Sequence, residues 1–198
     1  WFGIEWEYEP LTRAAMVKPG TRRLDDITNW RSLEFPNLRA IDWKKDYKER
    51  YEGKISQDRL TYFIIVNGFF ERTADLTSFE DAFCYLLEEP EALTEFYDRL
   101  AEWHIELIKI AKEYYHTDMI LFHDDMGTQI STFFSPQIYK ELFLPQYKKV
   151  TKAAHDMGMY ICIHSCGCIG SLMPLIIEAG FDAWEGQDSS NDKKAIMD

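Results

Sequence analysis

The stretch Tyr160-Ile161-Cys162-Ile163-His164-Ser165-Cys166-Gly167 joins an apolar run to a polar tip and a glycine. The apolar run has the length and composition of a buried β-strand, and the glycine marks the point where the chain is expected to turn. Side chains two positions apart on a strand point to the same side. His164 and Cys166 should therefore lie side by side at the end of this strand, in line with Cys162.

Similar apolar runs flank this stretch, and each of them ends in polar residues or at a glycine. They are Tyr62–Asn67, Met119–Phe122 and Asp182–Glu185. Amphipathic segments separate the runs, most clearly from Pro90 to about Tyr115. Strands that alternate with helices predict an α/β fold with a parallel sheet and helices outside it. Because polar tips follow successive strands, we expect a (β/α)8 TIM barrel, of which this chain holds the middle part, about four strand–helix units.

Residues 1–58 differ from the rest of the chain, because they are rich in aromatic residues and poorly periodic. We expect an irregular aromatic-rich segment that caps the barrel, and a partial TIM-barrel domain over residues 59–198. The apolar start at Trp1 predicts that the sequence is a piece of a longer protein, since termini are usually polar. Half a barrel would also leave two sheet edges exposed, which proteins avoid.

The composition is that of an ordinary globular domain, with 46% apolar and 28% charged residues in 198. The net charge of −12 argues against a nucleic acid or an anionic membrane surface as a partner. No run approaches about 20 consecutive apolar residues, so no membrane span is expected. The sequence also lacks a glycine-rich phosphate loop, an HExxH helix and a nucleophilic-serine elbow, which argues against nucleotide-dependent and hydrolytic functions.

Three of the four cysteines, Cys162, Cys166 and Cys168, fall within seven residues. A disulfide framework would spread its cysteines along the chain, so this cluster favours metal or thiol chemistry in a reducing compartment, and we expect a cytoplasmic protein. An imidazole nitrogen and a thiolate on one face, as expected for His164 and Cys166, form half of a tetrahedral zinc site. The alternative is that these are small side chains packed at a strand end, since cysteine is commonly buried.

A second polar cluster, His123-Asp124-Asp125, follows the run Met119–Phe122. Adjacent carboxylates on a strand end point in different directions, so one of Asp124 and Asp125 is expected to enter a pocket as a catalytic acid or base, or as a metal ligand. The alternative is a capping or turn aspartate. His123, which could be a second metal ligand, and Gln129, at the end of the same polar segment, are candidate substrate contacts.

Further candidates follow the other two runs. Glu185 is a candidate catalytic carboxylate, and Gln187, two residues later, is a candidate substrate contact, unless both lie in a solvated loop. Glu71 and Arg72 occupy the equivalent place after the run Tyr62–Asn67. Arg72 could bind a substrate carboxylate with both guanidinium nitrogens, or form only a surface ion pair.

Several segments, taken in order, resemble the uroporphyrinogen decarboxylase (URO-D) family, which includes the cobalamin-dependent methyltransferases. Ser135–Tyr147 is similar to the family's Ser-Pro-x-x-Phe/Tyr helix with its later Pro-Tyr pair. The other segments that resemble the family follow in the family's order along the chain. They are Gly68–Arg72, Glu89–Glu91, His155–Gly158, His164–Gly167 and Ile177–Ala183. The resemblance covers roughly residues 62–187 and implies a (β/α)8 barrel with its site at the carboxyl ends of the strands.

The resemblance also implies a function and a ligand set. The methyltransferases of the family carry His-x-Cys at this strand end as zinc ligands, so His164 and Cys166 would bind zinc, with a later cysteine beyond Asp198. The implied reaction moves a methyl group between a corrinoid, such as methylcobalamin as co-substrate, and a thiol or methoxylated substrate. The partner would be a corrinoid protein or a small-molecule methyl donor or acceptor, and a homodimer is compatible with the resemblance.

Two other functions stay open at this point. The decarboxylases of the family act on a tetrapyrrole without a metal, and hold its acetate arms with arginines and an aspartate. A third reading is a non-catalytic module that binds a tetrapyrrole or a corrinoid.

Overall fold

A computed structural model describes residues 1–11, 13–56, 58–186, 188–192, 194 and 196. Gln187, predicted above as a substrate contact, lies outside the described residues. Among the described residues, no helix combines the length and the apolarity needed to cross a bilayer.

The opening segment contains short regular elements between its irregular stretches, and its role as a cap of the barrel stays a prediction. Strands β1 (Trp6–Glu9) and β2 (Ala14–Val17) pair as an antiparallel hairpin, and helix α1 covers Trp43–Arg50. Two short 3-10 turns lie between them, at Ile27–Ser32 and Leu38–Ala40. The alternation of aromatic and acidic residues in β1 is a strand signal, but β2 does not alternate. The boundary at residue 58 stays a prediction.

Four parallel strands form the central sheet in the order β3-β4-β5-β6. They are β3 (Tyr62–Ile65), β4 (Met119–His123), β5 (Tyr160–His164) and β6 (Ala183–Glu185). Each strand pairs with the next along the chain, as right-handed β–α–β connections produce. The predicted parallel sheet with connecting helices is confirmed.

The helices connect the strands. They are α2 (Phe70–Leu76), α3 (Phe79–Glu88), α4 (Pro90–Tyr115), α5 (Pro136–Ile138), α6 (Leu144–Asp156) and α7 (Met173–Ala179), with 3-10 turns at Gly170–Leu172 and Asp188–Ser190. A π-helical turn at Tyr139–Phe143 separates α5 from α6. It ends where Pro145 enters the first turn of α6, because proline has no backbone N–H to continue the ladder. Gly180, in the left-handed region, ends α7.

The two faces of the central sheet have different surroundings. Outward-facing side chains such as Ile120, Phe122 and Ile161 are fully buried under the helices. On the opposite face, Tyr62 and Tyr160 are 54% and 60% exposed. In a (β/α)8 barrel one face of the sheet meets the helices and the other lines the barrel interior. The fold is therefore partial TIM-barrel-like, and its strand tips form one edge where side chains can converge.

Candidate functional site

The register of the central strands brings candidate residues into a row. His123 at the end of β4 lies opposite His164 at the end of β5, and His164 lies opposite Glu185 at the end of β6. Since the strands are parallel and in register, residues far apart in sequence meet at one edge of the sheet. Helix α2, which follows β3, places Glu71 beside the same row.

Each of the two histidines is held by its own carboxylate. His123 Nδ1 lies 2.7 Å from Glu71 Oε2, and His164 Nδ1 lies 3.0 Å from Glu185 Oε2. A carboxylate in this position holds the proton on Nδ1 and leaves the Nε2 lone pair for another ligand. Histidines that bind metals commonly have this second hydrogen bond.

The environment also changes the acidity of the first histidine. Partial burial lowers the pKa of His123, but the hydrogen bond and charge of Glu71, together with Asp125 and Asp124, outweigh burial. The net pKa of His123 therefore lies above its usual value. The imidazole is in a negative local field, which attracts a proton or a metal cation.

Cys166 and Asp125 complete the cluster on the β5 side. Cys166 Sγ lies 3.5 Å from His164 Nε2, so the predicted side-by-side arrangement of His164 and Cys166 is present. The Cys166 backbone N–H donates to Asp125 Oδ1 at 2.7 Å, and the same oxygen lies 3.8 Å from His164 Nε2. Of the two adjacent aspartates, Asp125 is the one that reaches this cluster.

Asp124 is fully buried and binds the amino end of helix α2 instead of entering the cluster. Its carboxylate accepts N–H bonds from Phe69, Phe70 and Glu71 at 2.6, 3.1 and 3.0 Å. The Tyr147 hydroxyl donates to it at 2.8 Å. Burial, followed by the charge of Glu71, raises the pKa of Asp124, while the hydrogen bonds from the Glu71 and Phe69 N–H groups and from Tyr147 oppose that shift. The placement supports the capping alternative over a catalytic role, and Tyr147 is a partner that the sequence reasoning missed.

The structure does not bring Arg72 or Gln129 into the cluster. Arg72 is buried, donates to the Val66 carbonyl at 3.2 Å and lies 3.5 Å from Asp75. Its guanidinium also covers the Phe2 ring at 5.0 Å. Arg72 does form an ion pair, but in the interior and not at the surface, while its predicted contact with a substrate carboxylate stays a prediction. Gln129 lies exposed in the loop after β4.

The residues present fit a metal ion. One ligand atom each from His123, Asp125 and His164 lies within 4.8 Å of the others. Zinc–nitrogen and zinc–sulfur bond lengths at a tetrahedral angle put the two ligand atoms about 3.6 Å apart. The 3.5 Å between His164 Nε2 and Cys166 Sγ matches that separation. The grouping of His123 with His164 depends on strand register, which no local motif reveals.

A glycine holds the Cys166 loop in place. Gly167 has φ of 94°, and a Cβ there would lie 2.3 Å from the Gly127 carbonyl carbon. Both the left-handed backbone and the close approach require glycine. The chain therefore turns immediately after Cys166, as the sequence predicted.

A parallel sheet with helices on one face and polar side chains at its strand tips is the arrangement found in (β/α)8-barrel proteins. Within that class, the model of the family uroporphyrinogen decarboxylase (URO-D) matches residues 1–197. The chain belongs to the URO-D family. No curated protein matches this sequence.

Among solved structures, the chain is similar to one described as a methyltransferase from Methanosarcina mazei. The TM-score is 0.70 at 16% sequence identity, with 98% of this chain and 57% of that chain covered. At this identity the likeness shows the fold. The chain spans little more than half the length of that methyltransferase.

Proposed function

We propose that this chain is part of a zinc-dependent corrinoid methyltransferase, which moves a methyl group between a corrinoid and a thiol or methoxylated substrate. The observation that carries the proposal is the 3.5 Å separation of His164 Nε2 and Cys166 Sγ at a strand tip. Membership of the URO-D family and the fold likeness to a methyltransferase support it.

The chemistry of the cluster suits this reaction. When bound, zinc supplies the positive charge that keeps an acceptor thiol ionised near neutral pH. Glu185 orients His164 through Nδ1, and Asp125 holds the backbone of Cys166. These two carboxylates fix the ligands of the metal, so that the acceptor meets the corrinoid in one orientation. The partner is a corrinoid protein or a small-molecule methyl donor or acceptor.

The charge of the cluster argues against the decarboxylase alternative. Glu71, Asp125 and Glu185 surround the two histidines, and Arg72 is paired in the interior. Carboxylates at this edge would repel the acetate arms of a tetrapyrrole, whereas they favour a metal cation. The thiol suits a reducing compartment such as the cytoplasm. A homodimer stays a prediction.

The test is the zinc content and methyl transfer of the purified protein, with methylcobalamin and a small thiol as substrates. We expect about one zinc per chain and thiol methylation, with both lost in Cys166→Ser. Cys84→Ser is the matched control, because Cys84 is exposed on α3, and it should leave both unchanged. A metal-free wild-type protein that decarboxylates uroporphyrinogen would contradict the proposal.

A further inference from the structure

We infer that Asn191, in the segment after β6, is a positioning residue of the metal site, because its side-chain amide fixes the loop that carries Cys166. The inference rests on the proposed function, in which Cys166 is a zinc ligand. It concerns the backbone that carries this ligand and adds no ligand of its own. The coordination sphere therefore keeps its place for the acceptor.

The loop that carries Cys166 lies outside the regular part of the sheet, since β5 ends at His164. On the near side of Cys166, Ser165 is held by both neighbouring strand ends. Its hydroxyl accepts the Met126 N–H at 2.9 Å, and its carbonyl accepts the Trp184 Nε1–H at 3.1 Å. The residues on the far side of Cys166 need a support of their own.

Asn191 supplies this support with three hydrogen bonds. Its Nδ2 donates to the Gly167 carbonyl at 2.8 Å. Its Oδ1 accepts the N–H groups of Ile169 and Gly170, both at 2.9 Å. Gly167 directly follows Cys166, so a shift of the Gly167 peptide moves the Cys166 backbone as well. One side chain from the next strand–helix connection thus fixes the chain immediately after a candidate zinc ligand.

The loop itself cannot make these bonds. A 3-10 turn begins at Gly170 with Ile169 as its N-cap, and the first N–H groups of such a turn have no partner within it. Isoleucine has no side-chain acceptor, so Asn191 takes the capping role from another part of the chain. Asparagine suits this position because its amide carries an acceptor and donors at once. An aspartate would keep the two acceptor bonds but could not donate to the Gly167 carbonyl.

The distance between the two candidate ligand atoms depends on this loop. The strand carries His164 and the loop carries Cys166, and the separation of 3.5 Å between Nε2 and Sγ holds only while the loop keeps its place. Groups that orient metal ligands without touching the metal commonly change metal affinity by about 10- to 100-fold. Loss of the Asn191 amide should therefore weaken zinc binding although every ligand is still present.

Hydrogen exchange in the metal-free protein tests the inference without reference to function. The amide to follow by NMR is that of Cys166, whose N–H donates to Asp125. We expect at least about 10-fold faster exchange there in Asn191→Ala, because the loop opens more often. Asn37→Ala is the matched control, since Asn37 also caps a 3-10 turn, by accepting the Arg39 N–H at 3.1 Å in the opening segment. Wild-type exchange at Cys166 in Asn191→Ala would overturn the inference.

Metal binding gives the second readout. Zinc affinity is measured by competition with a chromophoric chelator, and the visible spectrum of the cobalt(II)-loaded protein reports ligand geometry. Asn191→Ala should lower zinc affinity by about 10-fold or more and alter the cobalt spectrum, whereas Asn37→Ala should change neither.

Asn191→Asp keeps the result decisive if Asn191→Ala does not fold, because the carboxylate still caps the turn. The cobalt spectrum is the measurement for this variant, since an added negative charge changes affinity by itself. Cobalt spectra identical to wild type in the folded Asn191 variants would overturn the inference.

The inference and the proposed function fail in different ways. Wild-type exchange and spectra in the Asn191 variants would leave the proposed function standing, provided that Cys166→Ser loses zinc and methyl transfer. A wild-type protein that binds zinc through Cys166 but transfers no methyl group would instead count against the proposed function alone.

Discussion

The imidazole of His123 lies parallel to that of His164, 4.3 Å away between centroids, although 41 positions separate the two residues. The parallel register of β4 and β5 creates this relationship, since the two histidines are direct partners in it. Glu71 and Glu185 hold the two rings from outside the stack. The orientation of both imidazoles therefore depends on residues at the ends of four neighbouring strands. Glu71 follows β3, and the other three residues end β4, β5 and β6.

Replacing either glutamate by glutamine should weaken zinc binding. An amide keeps the shape of Glu71 or Glu185 but loses the charge that makes the imidazole a better ligand, so we expect a loss of about 10- to 100-fold in affinity. Zinc titration of Glu71→Gln and Glu185→Gln measures this. Glu178→Gln is the control, because Glu178 is half-exposed and pairs with Lys148. Equal affinities in all three variants would show that the glutamates do not orient metal ligands.

Replacing Asp124 should cost stability. Asp124→Ala removes a buried acceptor of three backbone N–H groups and the Tyr147 hydroxyl. Leaving these donors without a partner should lower the free energy of unfolding by about 3–5 kcal/mol, measured by urea denaturation. Asp156→Asn, at an exposed position paired with Lys152, should change it by less than about 0.5 kcal/mol. A loss below about 1 kcal/mol in Asp124→Ala would contradict the capping role.

His104 should make the protein sensitive to acid. It is fully buried among aromatic rings, and among the described residues neither ring nitrogen has a hydrogen-bond partner. Burial, and to a lesser degree the charge of Arg72, lowers the pKa of His104 well below 6.5. The unfolded chain therefore binds a proton that the folded protein does not. The free energy of unfolding is not reduced by this effect above the pKa that His104 has in the unfolded chain. Below about pH 6.5 it falls by up to about 1.4 kcal/mol per pH unit.

The variant His104→Leu tests this dependence. Urea unfolding from about pH 7 to about pH 5 should show a shallower loss of stability than in wild type, because the titrating group is gone. At neutral pH the variant should be as stable as wild type or more so, since two unpaired polar atoms leave the core. An unchanged slope in His104→Leu would assign the acid sensitivity to other groups.

Gly167→Ala should disturb both the fold and the metal site. The new Cβ would meet the Gly127 carbonyl at 2.3 Å from its carbon, in addition to the strain of a φ of 94°. Gly158→Ala is the control, because Gly158 has φ of 68° but nothing within 4 Å of the added Cβ. We expect about 1–2 kcal/mol of destabilisation for Gly158→Ala, from backbone strain alone. Gly167→Ala should cost more, and should also weaken zinc binding because Cys166 is displaced.

Calorimetric unfolding and zinc titration of the two glycine variants measure these effects. If Gly167→Ala were no less stable than Gly158→Ala and bound zinc normally, the close approach to Gly127 would not position Cys166.

Local patterns in the sequence were sufficient to predict the four strands of the central sheet and the long helix α4. The apolar runs that end at polar residues predicted β3 to β6, and the three- and four-residue spacing predicted α4. These patterns are readable because a strand or a helix repeats over few residues, and its side chains report which face is buried. His164 and Cys166 were placed together by the same rule, since they are two residues apart and the extended chain continues past the end of β5 at His164.

Long-range pairing determined the rest of the candidate site. The choice between Asp124 and Asp125 depended on α2, whose amino end lies over Asp124 and leaves Asp125 to the cluster. Asp75 lies three residues after Arg72 on the same helix, but no local pattern connects Arg72 to Phe2, whose ring its guanidinium covers. The strand ends and their chemistry were thus determined by the sequence alone. The tertiary structure decided which side chains meet, because strand register and helix docking depend on packing across the whole chain.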